Sequence, residues 1–184
     1  MSFLDPRERE RAKTQTLTAN FYDAALEASK TFRKGYDEQV NIVKAAQMPF
    51  ERSRHGLIKH IINEKMNTKE YCLDIYMQFL PGGKASGKHR HLSEEVFYVV
   101  EGSGYDLHWD VRFDCKDVME FEWETEPRKF EWRQGDFVYI PPYCAHQHFN
   151  ADPANEARII VVNSRIVKAM GFDWFEQIED AQGY

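Results

Sequence analysis

Gly83-Lys84-Ala85-Ser86-Gly87-Lys88-His89-Arg90-His91-Leu92-Ser93-Glu94-Glu95-Val96-Phe97-Tyr98-Val99-Val100-Glu101-Gly102 carries two imidazoles and a carboxylate just ahead of an apolar run that ends on a glycine. In an extended strand residues i and i+2 point to one face. His89 and His91 can therefore aim two imidazoles at the same point, where a metal could sit. Glu95 follows across a turn or irregular step, and 96–100 reads as the next strand. A second group, His146-Gln147-His148, lies near the end of Gly135-Asp136-Phe137-Val138-Tyr139-Ile140-Pro141-Pro142-Tyr143-Cys144-Ala145-His146-Gln147-His148-Phe149-Asn150. From that separate strand His146 could supply a fourth donor.

The spacing is Gly83, five residues, His89-x-His91, three residues, Glu95, six residues, Gly102, then Gly135, five residues, Pro141, four residues, His146, three residues, Asn150. It resembles the two signature motifs of the cupin superfamily. The first motif matches at every defining position, and the second at four of five, with Tyr143 where that family has Gly. The resemblance covers about residues 57–165. It implies a mainly β fold: a single jelly-roll, a double-stranded antiparallel β-barrel. Near its centre it implies one divalent metal held by His89, His91, Glu95 and His146, as in Fe(II) dioxygenase-type cupins.

The donor chemistry agrees with what the resemblance implies. Three imidazoles and one carboxylate suit Fe(II), Mn, Ni, Co, Cu or Zn, whereas Ca and Mg prefer oxygen shells. Four protein donors leave open positions on an ion that accepts six, the mark of a catalytic rather than a structural site. Glu94 should face away from Glu95 by alternation. His148, two residues beyond His146, should look into the barrel, where it could act as a proton acceptor or orient a substrate. His108, in the alternating run Tyr105-Asp106-Leu107-His108-Trp109-Asp110, reads as a solvated or edge residue, and His55 and His60 read as surface residues. Cys144 falls either at the pocket rim beside His146 or in the core as an inert thiol.

Outside the motifs, Asp5-Pro6 is a good helix entry and Leu17, Phe21, Ala25, Ala28 and Phe32 recur at helical spacing, so a helix is expected over about 6–34, stopping at Gly35. A second short helix is expected within 36–47. Short strand-like runs follow at 57–62, 71–80, 96–100, 105–113, 118–123, 130–132, 137–140 and 157–163, the pattern of a sandwich or barrel. The expected organisation is a helical extension over 1–56 packing on the barrel, a barrel over 57–167, and a C-terminal helix or strap over 168–184. Between the motifs, residues 103–134 hold nine Asp+Glu against five Lys+Arg, a balance of −4 that accounts for most of the chain's −6. Alternation at 121–124 and 130–133 predicts a hairpin with one aromatic face, covered either by barrel packing or, the reading favoured here, by a second copy in a homodimer.

The 184 residues are 42% apolar and 29% charged, one domain with length to spare. No aliphatic run approaches the ~20 residues of a membrane span. The start lacks the pattern of a secretory signal. Three well-separated cysteines suggest reduced thiols. These features point to a cytoplasmic protein with no membrane partner, and the acidic balance argues against a nucleic-acid partner. Three functions fit. The first is an Fe(II) dioxygenase acting with O2 on a small organic substrate, aromatic or enolisable. The second is an isomerase, lyase or hydrolase that uses the ion as a Lewis acid. The third is a non-catalytic small-molecule-binding cupin or accessory subunit.

Overall fold

Alternating burial along the chain sets the strands, because successive side chains of an extended backbone point to opposite faces. A computed structural model describes residues 10, 18–31, 38–69, 72–115, 117–172 and 174–182, in two units, Met1–Glu38 and Gln39–Tyr184. In the first, helix α1 (Phe21–Thr31) begins after Asn20, whose carbonyl accepts the Ala24 N–H at 2.9 Å. Residue 10 is helical too. The rest of the helix expected over 6–34, with its Asp5-Pro6 entry and Gly35 stop, lies outside the described residues. In the second unit the region expected to hold a short helix carries a 3-10 turn at Ala45–Gln47.

The strands are β1 (Phe50–Ser53), β2 (Gly56–Ile62), β3 (Leu73–Leu80), β4 (Lys88–His91), β5 (Glu95–Glu101), β6 (Ser103–Trp109), β7 (Val111–Cys115), β8 (Met119–Trp123), β9 (Arg128–Arg133), β10 (Phe137–Ile140), β11 (Ala145–Asn150), β12 (Ala157–Ser164) and β13 (Phe175–Glu179), with a short helix α2 (Ile166–Ala169) before the last. They form a six-stranded sheet in the order β1-β2-β3-β12-β5-β10, a five-stranded sheet β13-β4-β11-β6-β9, and the ribbon β7-β8. All these pairings are antiparallel. From β3 to β6, and again from β9 onward, each step along the chain crosses from one sheet to the other. That is the winding of a jelly-roll.

The two sheets contribute unequally to the interior. The six-stranded sheet turns Ile58, Tyr76, Leu80, Phe97, Val99, Ile140, Ala157, Ile159 and Val161 inward. Each large aliphatic or aromatic side chain among them is worth roughly 1.5–3 kcal/mol of burial. The five-stranded sheet turns in His89, His91, Asp106, His108, His146 and His148, with Trp132 as its large apolar member. The apolar wall supplies the core and, from β5, the buried Glu95, while the polar wall supplies the imidazoles.

The motif residues that bear no donor atoms hold the turns. At Gly102, where the chain passes from β5 to β6, φ is +90° and an added Cβ would lie 2.7 Å from Ala157 Cβ, so only glycine fits. Asn150 donates from Nδ2 to the Leu80 and Asn155 carbonyls at 2.9 and 2.8 Å, and its Oδ1 accepts the Asp152 N–H at 3.0 Å. Gly83 N–H in turn donates to the Asp152 carbonyl at 2.8 Å. The outer ends of the two motifs are thus tied to one loop.

Pairing differs from expectation in places. The strands begin ahead of residue 57, because β1 pairs with β2 from Phe50. In the expected C-terminal helix or strap, α2 is followed by β13, which sets Phe175 opposite His91 and Gln177 opposite His89. The hairpin expected from 121–124 and 130–133 does not form: β8 pairs with β7 and β9 with β6. Phe113 gives Phe121 an edge-to-face partner at 5.4 Å, while Trp132 is drawn inward by the bond from its Nε1 to Asp106 Oδ1, 2.8 Å.

Candidate metal centre

Three strands bring the site together. On β4, His89 and His91 point inward while Arg90 points outward, over the Trp123 ring at 4.0 Å and paired with Glu176 at 2.7 Å. On β5, Glu95 is fully buried, whereas Glu94 is exposed and accepts the Tyr139 hydroxyl at 3.2 Å. On β11, His146 stands opposite His89 in register. One donor atom from each of His89, His91, Glu95 and His146 lies within 4.8 Å of the other three, and all four residues are buried.

Backbone carbonyls set the histidine tautomers. Nδ1 of His91 faces the Ser93 carbonyl at 2.8 Å, Nδ1 of His146 the Cys144 carbonyl at 3.0 Å, and Nδ1 of His89, more loosely, the Gly87 carbonyl at 3.5 Å. A carbonyl accepts only, so the ring proton sits on Nδ1 and each Nε2 is left with a lone pair. His91 Nε2 lies at hydrogen-bond distance from Glu95 Oε2, 3.3 Å. Burial, with the neighbouring rings of His146, His55 and His91, holds His89 well below the usual imidazole range. Burial likewise lowers His146, against the pull of Glu95. Burial works to raise Glu95, but His146 and His91 outweigh it and keep the carboxyl ionised. Three imidazoles converging on an ionised carboxylate are donors that a cation can bind in place of protons.

The orphaned atoms give the same answer. Glu95 Oε1 and His146 Nε2 are buried with no hydrogen-bond partner. A buried polar atom without a partner costs about 1–3 kcal/mol. A divalent transition metal fits this donor set and would satisfy both atoms.

His148 lies inside the barrel, as its place two residues after His146 predicts. Its Nδ1 meets Asp106 Oδ2 at 2.9 Å, and its Nε2 faces Glu95 Oε1 at 3.7 Å without a hydrogen-bond partner. Burial opposes a charge on His148, but Asp106 outweighs it and raises the ring above its ordinary value. Asp106 is fully buried and also accepts from Trp132 Nε1 and, at 3.3 Å, from His108 Nε2. His108 is therefore not a solvated residue: it is 3% exposed. Polar–apolar alternation tells which residues share a face, not which face is buried, and here the polar face points in. The signal for Asp106 was present, since Asp106-x-His108 repeats the i, i+2 pattern of the other two histidine pairs.

His55 is a second departure: it is half-buried, with both ring nitrogens out of contact with solvent. The tight turn between β1 and β2 places its ring 4.3 Å from that of His89 and 5.8 Å from that of His148. Burial, reinforced by His148, pushes its pKa down to about 3. No spacing pattern in the sequence marks it. His60 is half-buried and pairs with Glu51 at 2.7 Å. Cys144 is buried, its Sγ at 3.4 Å from the Ala145 carbonyl, and burial raises its thiol to about 12, so it is an inert core thiol.

Tyr143, where the motif has glycine, takes the backbone glycine would: its φ is +63°. Its N–H donates to the His91 carbonyl at 2.8 Å, joining the two motifs, and its ring packs 5.2 Å from Trp174 and 5.3 Å from Phe121. A cleft of about 800 Å³ reaches the site from one side, lined by His55, His89 and His91 and walled by Tyr76, Trp174 and Phe175. The Phe175 ring stands parallel to that of His91 at 6.3 Å.

Comparison with known proteins agrees on the fold. The family model described as auxin binding protein, a cupin-type family, matches residues 35–180. A curated relative, the acireductone dioxygenase of Puccinia graminis f. sp. tritici, is 34% identical over 82 residues, which are 45% of this chain and 38% of that protein. The match thus spans well under half of that relative. Among solved structures, vicilin from Corylus avellana aligns with TM-score 0.53 at 11% identity, over 74% of this chain and 36% of that one. Salicylate 1,2-dioxygenase from Pseudoaminobacter salicylatoxidans, in complex with gentisate, aligns with TM-score 0.50 at 12% identity, over 90% and 37%. At such identities the two structures speak for the fold alone.

Proposed function

This chain belongs to the auxin binding protein family, a cupin family, and from that premise we propose that it is a mononuclear metal-dependent enzyme, an Fe(II) dioxygenase that oxidises a small aromatic or enolisable substrate with O2. The observation that carries the reading is the convergence of His89, His91, Glu95 and His146, with orphaned donor atoms, beneath an open cleft. In the proposal these four residues hold the ion. Fe(II) is favoured, and Mn, Ni, Co, Cu or Zn suit the same donors. The dioxygenase name of the curated relative supports the reaction class.

Bound iron would supply the one-electron chemistry by which O2 attacks an organic molecule. The rest falls to the chain. The Ser93 and Cys144 carbonyls fix the ring orientations of His91 and His146. Glu95 brings a negative charge that offsets part of the ion's. His148, clamped by Asp106, presents Nε2 on the Glu95 side of the site, where it would orient the substrate or take up its proton. Tyr76, Trp174 and Phe175 give the cleft aromatic walls suited to a flat substrate.

We further propose a cytoplasmic homodimer, paired through exposed aromatic side chains. Phe113, Phe121 and Phe130, 52%, 37% and 38% exposed, are described aromatic residues of the 103–134 segment that remain open. Among the described residues no helix is long and apolar enough to cross a membrane. A second reading, a cupin that binds a small molecule without turnover, is favoured by the family's description as auxin binding protein.

The test is anaerobic purification with elemental analysis, followed by oxygen uptake over catechols, gentisate-like acids, hydroquinones and thiol acids. Iron at about one per chain with substrate-dependent uptake is expected, and His148→Gln should keep the metal while losing turnover. Uptake with none of these compounds by fully loaded protein would favour the binding reading.

A further inference from the structure

A metal held by His89, His91, Glu95 and His146 would satisfy two of the orphaned buried atoms, Glu95 Oε1 and His146 Nε2. Three more stand beside them: Nε2 of His148 and both ring nitrogens of His55. The His55 and His148 rings are 5.8 Å apart at 74° to one another. An unpartnered buried polar atom weakens the fold, so packing alone would favour an apolar side chain at 55.

The backbone that carries His55 is nevertheless tightly held. Its N–H donates to Ser53 Oγ at 3.2 Å, and its carbonyl accepts Gln78 Nε2 at 2.9 Å and the Gly87 N–H at 3.2 Å. Gly56, next in the turn, has φ +118°. A pinned turn thus delivers an imidazole with nothing to bond to into the space beside the metal centre. The same ring lies between the main cleft and a smaller cavity of about 140 Å³.

We infer that His55 is a ligand-binding residue, which hydrogen-bonds a hydroxyl or enol oxygen of a small molecule bound at the inner end of the cleft. A neutral imidazole offers one N–H and one lone pair, and a hydroxyl can meet either, accepting from the N–H or donating to the lone pair. A carboxylate has no proton for the lone pair, and an ether has none either. The inference rests on reading the cleft as the substrate site, and it does not require turnover.

The test uses zinc-loaded protein, in which no oxidation competes, titrated with 4-nitrocatechol and followed by the probe's absorbance. Wild type should bind. His55→Leu, at unchanged zinc content, should bind about tenfold more weakly, and His55→Gln, which keeps a donor and an acceptor, should recover most of the loss. The Tm of metal-free His55→Leu should equal or exceed that of wild type, since two orphaned nitrogens are gone. 4-Nitroveratrole, with both hydroxyls methylated, should bind far more weakly than nitrocatechol to wild type.

Four results would overturn the inference: equal affinity in wild type and His55→Leu, no binding of nitrocatechol by wild type, equal affinity for the two probes, or a leucine variant that fails to fold. Probe binding through His55 with no oxygen uptake on any substrate would remove the dioxygenase reading and leave the inference standing.

Discussion

Asp106 illustrates how one residue can organise a buried polar wall. Its carboxylate accepts from Trp132 Nε1, His148 Nδ1 and His108 Nε2, so removing it orphans three donors at once. Asp106→Ala should therefore cost about 3–5 kcal/mol of stability in urea unfolding. Burial works to raise the Asp106 pKa, but His148 and His108 outweigh it and depress it. A depressed carboxyl stabilises the fold above its unfolded value near 3.9, and that contribution is lost as pH falls through the folded value. The Tm of metal-free wild type should thus fall more steeply than that of Asp106→Asn below about pH 5, down to about pH 2; parallel profiles by calorimetry would contradict the charge pair. The i, i+2 histidine pairs of this wall were legible because extended-chain geometry alone puts both rings on one face. His55 was not, since a tight turn delivers it and a turn has no periodicity to read.

At the scale of elements, alternation located the strands but not their partners. The charged and aromatic pattern of 121–124 and 130–133 fits a hairpin as well as it fits two strands in different ladders, and the choice was made by Phe113 and Asp106, remote in sequence. The tail was legible only as a helix or a strap for a similar reason, since Phe175–Glu179 is too short for its period to exclude a helix. The turn 141–144 is the element where a motif departure can be judged. Left-handed backbone costs a non-glycine residue about 1–2 kcal/mol, and the Tyr143 ring offsets this by packing on Phe113, Phe121 and Trp174. Tyr143→Ala loses the packing and keeps the strain, whereas Tyr143→Gly loses the packing and relieves the strain. Glycine should therefore be the more stable of the two variants by about 1 kcal/mol in denaturant unfolding; an alanine variant equal or better would mean that the turn is not left-handed.

Across the whole molecule, the barrel is asymmetric in what it asks of its two sheets. One supplies most of the apolar core together with Glu95; the other faces them with imidazoles and Asp106, and Glu95 Oε1, His146 Nε2 and His148 Nε2 between them have no protein partner. Sequence spacing showed where the imidazoles are, but the imbalance emerges only when the sheets are set face to face, because it is a property of the interior as a volume. An ion held in such a barrel would do more than chemistry: binding the folded state and not the unfolded one, it would belong to the stability of the fold. Free metal at a hundredfold excess over Kd stabilises by ~2.7 kcal/mol, which for a domain of this size is a rise in Tm of roughly 5–10 °C. Chelation should lower the Tm of loaded protein by that amount and zinc should restore it. His146→Ala should bind less zinc and show little of the response, while Cys144→Ala, which removes a buried thiol outside the donor set, should lower the Tm of both forms and keep the gap between them. Equal responses to zinc in wild type and His146→Ala would place the metal elsewhere and leave the polar wall without its cation.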